Sequence, residues 1–316
     1  RQAEAVLPEA TAVHIAQDDV VGAVGVVGHV GLDGQGRRGV GELENLLLRL
    51  QDVLADGDGQ ADGAPGFSRA LDYFLAQLRK NEDRITLCRT APEAEAAMQA
   101  GKCAAFLAIE GAEAVREDEG LLELAYEAGV RMVSLVWNLP NGLSGSCQTG
   151  EGLTEKGKRF FRRAQKLGML VDVSHLSEKG FWDMAELAEK PIVASHSDSF
   201  AVCPHPRNLT DAQFQAICDL GGTAGLNLYG PFLTDGPRVT FDDLRRHLDH
   251  FLDLGGEGHL ALGADLDGCS VLPEGFAALN DYETLGRYLA DAGYPDETIQ
   301  NLFCNSLMKV VKTCIM

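Results

Sequence analysis

The 316 residues carry a formal charge of −20, with 23% charged and 45% hydrophobic side chains, a globular composition whose negative balance excludes a nucleic-acid surface and a polybasic membrane patch. No apolar run reaches the roughly 20 residues of a membrane helix, and the amino-terminal text lacks the basic-then-apolar layout of a leader, so no membrane partner is expected. Eight cysteines are scattered without Cys-x-x-Cys pairs, several in apolar segments, and read as reduced thiols in a cytoplasm.

In chain order, residues 1–66 stand apart. They contain no Phe, Tyr, Trp, Lys, Ser, Cys or Met, and glycine recurs at positions 22, 25, 28, 31 and 34. Val20 to Val30 is a candidate glycine-weakened strand and Glu42 to Leu54 a candidate Leu-rich helix. A poorly ordered segment, or one replaced through a shift of reading frame, is the competing expectation. The text turns regular at Phe67, and we read 1–66 as an atypical amino-terminal segment and 67–316 as one globular unit.

Apolar residues at helical spacing predict a helix over 70–81 and another over 91–100, stopped by Gly101. The apolar run 103–109 is a buried strand ending at Glu110-Gly111. The same unit then recurs. Helix 119–128 leads to strand 130–136, ending at Trp137-Asn138, and helix 154–167 leads to strand 169–174, ending at His175. Helix 178–189 precedes strand 191–195, ending at His196. Helix 211–219 precedes strand 223–228, ending at Tyr229, and helix 241–253 precedes strand 259–264, ending at Asp265. Thr210 with Gln213 forms a capping box, and Thr240 caps the next helix. Helices at 281–291 and 296–312 close the chain.

Strands alternating with helices imply a parallel sheet, and no Gly-x-Gly-x-x-Gly turn follows any strand. A polar residue at each strand end fits a (β/α)8 TIM barrel, where functional groups collect at one face. Two strands are missing from six visible units, and Val20 to Val30 is the only source found for them.

The strand ends carry the chemistry. A carboxylate after seven apolar residues, Glu110, needs a partner, a proton or a cation to offset desolvation. His175 and His196 end two successive strands, and neutral imidazole is a common metal ligand, so Glu110, His175 and His196 are the candidate metal ligands. Asp265, in Gly263-Ala264-Asp265-Leu266-Asp267-Gly268, stands where a general base is wanted, while Asp267 suits the turn. Arg207, on the Pro-stiffened run Pro204-His205-Pro206-Arg207-Asn208, offers its fork to a carboxylate. Trp137, Asn138 and Tyr229 are lesser candidates for lining the pocket.

The runs Ala108-Ile109-Glu110-Gly111, Val171-Asp172-Val173-Ser174-His175, Ala194-Ser195-His196-Ser197, Cys203 to Thr210 and Gly263 to Gly268 together resemble the renal (membrane) dipeptidase family of zinc peptidases, from about Phe67 to Lys312. The resemblance implies an amidohydrolase-type metal-dependent hydrolase barrel with two zinc ions, cleaving dipeptides with a hydroxide shared between the metals. In it Glu110 bridges the metals, His175 and His196 bind the second, Arg207 holds the substrate carboxylate, Asp265 is the acid/base, and Tyr229 is a pocket residue. It leaves a homodimer open as the assembly. The family's first strand ends in His-x-Asp, which supplies the remaining ligands of the first metal. Residues 1–66 contain no such pair: His14 precedes Ile15-Ala16 and His29 precedes Val30-Gly31. Trp137 stands where some members carry a histidine. Two expectations follow: a zinc dipeptidase, or a catalytically silent barrel holding one zinc or a small carboxylate ligand.

Overall fold

The computed structural model describes residues 24–28, 74, 76, 78–266, 268–277 and 281–316. The candidate helix 42–54, His14, His29 and Asp267 lie outside them. Seven strands form the parallel part of one sheet: β2 (Ile85–Leu87), β3 (Cys103–Ile109), β4 (Val130–Ser134), β5 (Leu170–Asp172), β6 (Val193–Ala194), β7 (Thr223–Leu226) and β8 (Leu260–Leu262). Each pairs in parallel with its successor in sequence. The strand order never reverses, so the sheet is singly wound and has no switch point of the dinucleotide-binding kind.

Helices occupy the crossovers: α1 (Ala91–Gln99), α2 (Glu119–Glu127), α3 (Glu155–Leu167), α4 (Glu178–Leu187), α5 (Asp211–Asp219), the short α6 (Gly230–Leu233) and α7 (Phe241–Asp253). Their starts follow local chemistry. Thr90, Asp118, Thr154, Ser177 and Thr210 each accept a backbone N–H of the first turn, while the Asp243 carboxylate reaches back to the Thr240 N–H at 2.8 Å. Phe160, Phe161, Phe181, Phe214 and Phe251 bury one face of α3, α4, α5 and α7, with Phe214 and Phe251 stacked at 4.1 Å. Full burial of one such side chain contributes about 1.5–3 kcal/mol.

Two expectations are corrected. One missing strand is β2, between the helix expected at 70–81 and α1 and not within residues 1–66; its three residues are too short for periodicity to register. The strand β1 (Val24–Gly28) does fall within the expected Val20 to Val30 stretch, but pairs with β3 antiparallel, Val24 opposite Leu107 and Gly28 opposite Cys103. It therefore does not repeat the parallel unit.

The closing region also differs from the single helix expected at 296–312. After α8 (Asp281–Asp291) come α9 (Asp296–Gln300), a π-helical turn (Asn301–Asn305) and α10 (Ser306–Cys314). The π-turn packs against both β1 and β8. α10 joins α1 in a second core cluster with Ala104, Phe106, Leu170 and Val193, and the Ala91 N–H donates to the Ile315 carbonyl at 3.0 Å.

Candidate metal centre

Three strand ends converge at the carboxyl edge of the sheet. Glu110 is the first residue past β3, a strand buried along its whole length. His175 lies just beyond β5 and His196 just beyond β6. The Glu110 Oε1 atom is 2.9 Å from His175 Nε2 and 3.3 Å from His196 Nε2, and the two Nε2 atoms are 2.9 Å apart. All three residues are buried, and among the described residues this is the one His/Cys/Asp/Glu group of metal-holding size.

A single carboxylate organises the two histidine-bearing ends. Asp172 Oδ1 accepts the N–H of Ser174 at 3.0 Å and of Ser195 at 2.8 Å, tying β5 to β6. Its Oδ2 accepts the Ser195 hydroxyl proton at 2.5 Å, and Ser195 Oγ lies 2.7 Å from His196 Nδ1. With its own proton given to Asp172, Ser195 acts as acceptor, so His196 carries its hydrogen on Nδ1 and turns the Nε2 lone pair toward the site. Such outer partners fix the tautomer of metal-ligating histidines. Burial, opposed by these hydrogen bonds, raises the Asp172 carboxyl above its ordinary range.

Glycines make room for this arrangement. A β-carbon on Gly225 in β7 would lie 2.1 Å from the Ser195 carbonyl oxygen, and one on Gly263 after β8 only 1.8 Å from it. Both positions must be glycine for the His196-bearing strand end to seat against its neighbours. His175, at φ 71, and Asp265, at φ 52, adopt left-handed backbone conformations that cost a side-chain-bearing residue roughly 1–3 kcal/mol and persist only where the surroundings enforce them. The Cys147 N–H donating to the His175 carbonyl at 2.7 Å is one such constraint. Burial, followed by the nearby Arg207 charge, holds the His175 imidazole well below its usual pKa, so it stays neutral.

Arg207 is buried beside this cluster. Its guanidinium lies 5.6 Å over the Phe232 ring, and its Nη2 has no hydrogen-bond partner. Burial lowers its pKa; the Cys147 thiol and the carboxylates of Glu110, Asp172 and Asp265 oppose this, so all four lie within its electrostatic reach. The next residue anchors the loop: Asn208 Nδ2 donates to the carbonyls of Cys203 at 2.9 Å and Phe232 at 2.8 Å. Tyr229 packs edge-on against Phe232 at 4.9 Å, the ring over which Arg207 lies. Asp265 folds back over Gly268, where a β-carbon would lie 2.3 Å from its Oδ1.

Trp137 is 40% exposed with its ring 6.4 Å from that of His175, so it flanks the cluster. Asn138 is half-buried. The ordering asparagine of that loop is Asn141, which donates to Glu113 Oε1 and the Leu135 carbonyl, both at 2.7 Å, and accepts the Leu143 N–H. Sequence reasoning also passed over Asp172, although a carboxylate inside the apolar run Val171-Asp172-Val173 is a signal, and Asp198. Asp198 is fully buried, accepts the Asn227 N–H at 3.1 Å and leaves Oδ2 unpartnered; burial pushes its carboxyl well above the usual range.

The donor set fits a metal ion. Two imidazole nitrogens and a carboxylate oxygen meet in a buried space, a donor set that a cation satisfies. Among the described residues no helix is long and apolar enough to cross a membrane. A "metallo peptidase" from Rhodobacter sphaeroides, solved with a phosphinate mimic of the dipeptide L-Ala-D-Ala, is 33% identical, with a TM-score of 0.75 over 80% of this chain and 76% of that one. A solved dipeptidase of family M19 gives the same identity, TM-score and coverage. An uncharacterized protein in the pqqA 5′ region of Klebsiella pneumoniae is 37% identical over 241 residues, 72% of this chain and 89% of that protein. The profile of the membrane dipeptidase family matches residues 65–315, and the chain belongs to that family, peptidase family M19.

Proposed function

We propose that this metallodipeptidase is a zinc enzyme hydrolysing the peptide bond of dipeptides, with Glu110, His175 and His196 holding zinc, Arg207 binding the substrate carboxylate and Asp265 as the acid/base. The observation that carries the reading is the convergence of Glu110 Oε1, His175 Nε2 and His196 Nε2 within 4.8 Å of one another. Two imidazoles with one carboxylate are a familiar zinc environment. When bound, the metal supplies Lewis acidity that polarises the scissile carbonyl and lowers the pKa of water.

The chain's own residues supply the rest. Arg207 lies desolvated with Nη2 unpartnered, so a substrate carboxylate gains a charge-assisted bond there and a substrate without one leaves a buried cation unpaired. Asp265, within electrostatic reach of Arg207, moves the proton to the leaving amine. The Asp172–Ser195–His196 chain keeps His196 in the metal-binding tautomer. Trp137 walls the site beside His175, and Tyr229 supports the Phe232 ring beneath Arg207. The His-x-Asp pair that the resemblance gives to the first metal is absent from residues 1–66, so the reading rests on the site of Glu110, His175 and His196.

Residues 67–316 act in this reading as one catalytic unit whose sheet closes as a (β/α)8 barrel. The family match over 65–315 and the unbroken order of seven parallel strands within it support it. Eight cysteines, none of them in a disulfide, support a cytoplasmic setting. The dipeptide mimic bound by the Rhodobacter sphaeroides relative supports a dipeptide substrate, including one with a D-residue at its carboxyl end. The test pairs metal analysis with hydrolysis of L-Ala-D-Ala and L-Ala-L-Ala by the zinc-loaded protein. Turnover that chelation abolishes and zinc restores is expected; zinc binding without turnover would favour the silent barrel.

A further inference from the structure

We infer that a side chamber beside His175 and Arg207 receives the side chain of the substrate's carboxyl-terminal residue and selects large apolar ones; the inference rests on the dipeptidase reading above. The chamber measures about 400 Å³ and is enclosed by the connections that follow β4, β5 and β6. That volume is near the lower end of small-molecule sites and well beyond the needs of a glycine or alanine residue.

Its walls divide into two kinds of surface. Val173, Leu176, Phe181 and Leu209 give it an apolar lining. Three of the polar side chains that also line it are engaged by the protein's own groups. Ser177 Oγ donates to the Glu151 carbonyl at 2.5 Å and accepts the Gly180 N–H at 2.9 Å. Gln213 Oε1 accepts from the N–H and the hydroxyl of Thr210, and Asn208 Nδ2 serves two backbone carbonyls. Arg207 Nη2 and His175 Nδ1 are both buried and unpartnered, and of the two only the guanidinium carries a positive charge for an anion. The amino-terminal caps of α4 and α5, Ser177 and Thr210, border the same space and add the partial positive charge of two helix starts.

An occupant must therefore be anionic where it meets Arg207 and apolar beyond. His175, a metal ligand in the proposed centre, borders the same chamber, so the scissile carbonyl of the first substrate residue and the α-carboxylate of the second fall at its inner end. That is the layout of a carboxyl-terminal amino-acid residue whose α-carboxylate pairs with Arg207 and whose side chain fills the apolar part. Glu178 is the one carboxylate among the lining residues, and it disfavours an acidic side chain.

The test uses the zinc-loaded protein and calorimetric binding of N-acetylglycine, N-acetylphenylalanine and N-acetylaspartate, in both enantiomers where they exist. One well-filled apolar site discriminates by about tenfold or more per side chain. N-acetylphenylalanine should bind at least about tenfold more tightly than the other two, and Leu176→Trp, which narrows the chamber, should erase the preference. Equal affinities in the wild type, no binding at all, or a preference that survives in a folded Leu176→Trp protein would each overturn the assignment. Hydrolysis of Ala-Phe and Ala-Gly is measured alongside. A binding preference without hydrolysis keeps the chamber and defeats the dipeptidase reading, whereas equal hydrolysis with equal affinities defeats the chamber alone.

Discussion

His247 makes the stability of this protein acid-sensitive in a way that can be calculated. It sits fully buried on α7, its Nδ1 accepting the Ser199 N–H at 3.0 Å. Nε2 must then carry the hydrogen, which it gives to the Leu233 carbonyl at 3.0 Å. Protonation at Nδ1 would destroy the first bond and strand a charge. Burial first, then the Arg246 and His250 charges, depress the pKa, against the Leu233 carbonyl and Asp243, from 6.5 to about 4. Because the folded-state value is the lower one, the unfolded chain binds more protons between these two pH values, and stability rises with pH across that window. The contribution is complete above the unfolded value of 6.5 and is lost as pH falls toward about 4. At 1.36 kcal/mol per pKa unit the full loss is about 3 kcal/mol, of which about 2 kcal/mol has gone by pH 5. The assay is urea denaturation at pH 8 and pH 5 for the wild type and His247→Gln, which keeps an acceptor and a donor but cannot titrate. The wild type should lose about 2 kcal/mol more than the variant. Equal losses would refute the reasoning.

Ser195→Ala removes the acceptor that fixes the His196 tautomer and should weaken zinc affinity by about 10- to 100-fold, read by competition with a chromogenic chelator, while thermal unfolding of the zinc-free protein moves little. Arg207→Lys replaces a fork by a point charge. It should raise KM for free dipeptides several-fold with a smaller change in kcat, and leave dipeptide amides no worse than before; a kcat-only effect would remove Arg207 from carboxylate binding. Gly263→Ala places a methyl against the Ser195 carbonyl. Overpacking of this kind costs roughly 1–3 kcal/mol, so the denaturant midpoint should fall and zinc affinity with it. An unchanged midpoint would show that the strand ends can part.

The sequence-legible portion of the fold is the portion governed by local rules. Thr90, Thr154, Ser177 and Thr210 announce helix starts through their own hydroxyls, and Gly168, at φ 90, closes α3 as a left-handed stop. Strand ends are legible because a polar residue after an apolar run is a strong mark, and that mark groups Glu110, His175 and His196. Features set by partners distant in sequence are not. β2 is a strand only because β3 accepts it, and the π-turn breaks an apolar periodicity that reads as one continuous helix. Asn141 rather than Asn138 orders the loop after β4 because Glu113 and the Leu135 carbonyl stand opposite it. His247 reads as one more residue of an amphipathic helix, since its partners lie 48 residues away at Ser199 and 14 away at Leu233.

The hollow that Gly225 and Gly263 leave around the Ser195 carbonyl has a consequence for altering this protein. Neither glycine offers a side chain to a ligand, so a search confined to groups that could touch metal or substrate would pass over both. Yet three neighbouring strand ends are keyed together at that point, and the key is the absence of two methyl groups. Redesign of the metal preference can vary what coordinates the ion. It has no comparable freedom in the backbone beneath, where adding a single carbon at either glycine drives into the carbonyl of the residue that orients His196.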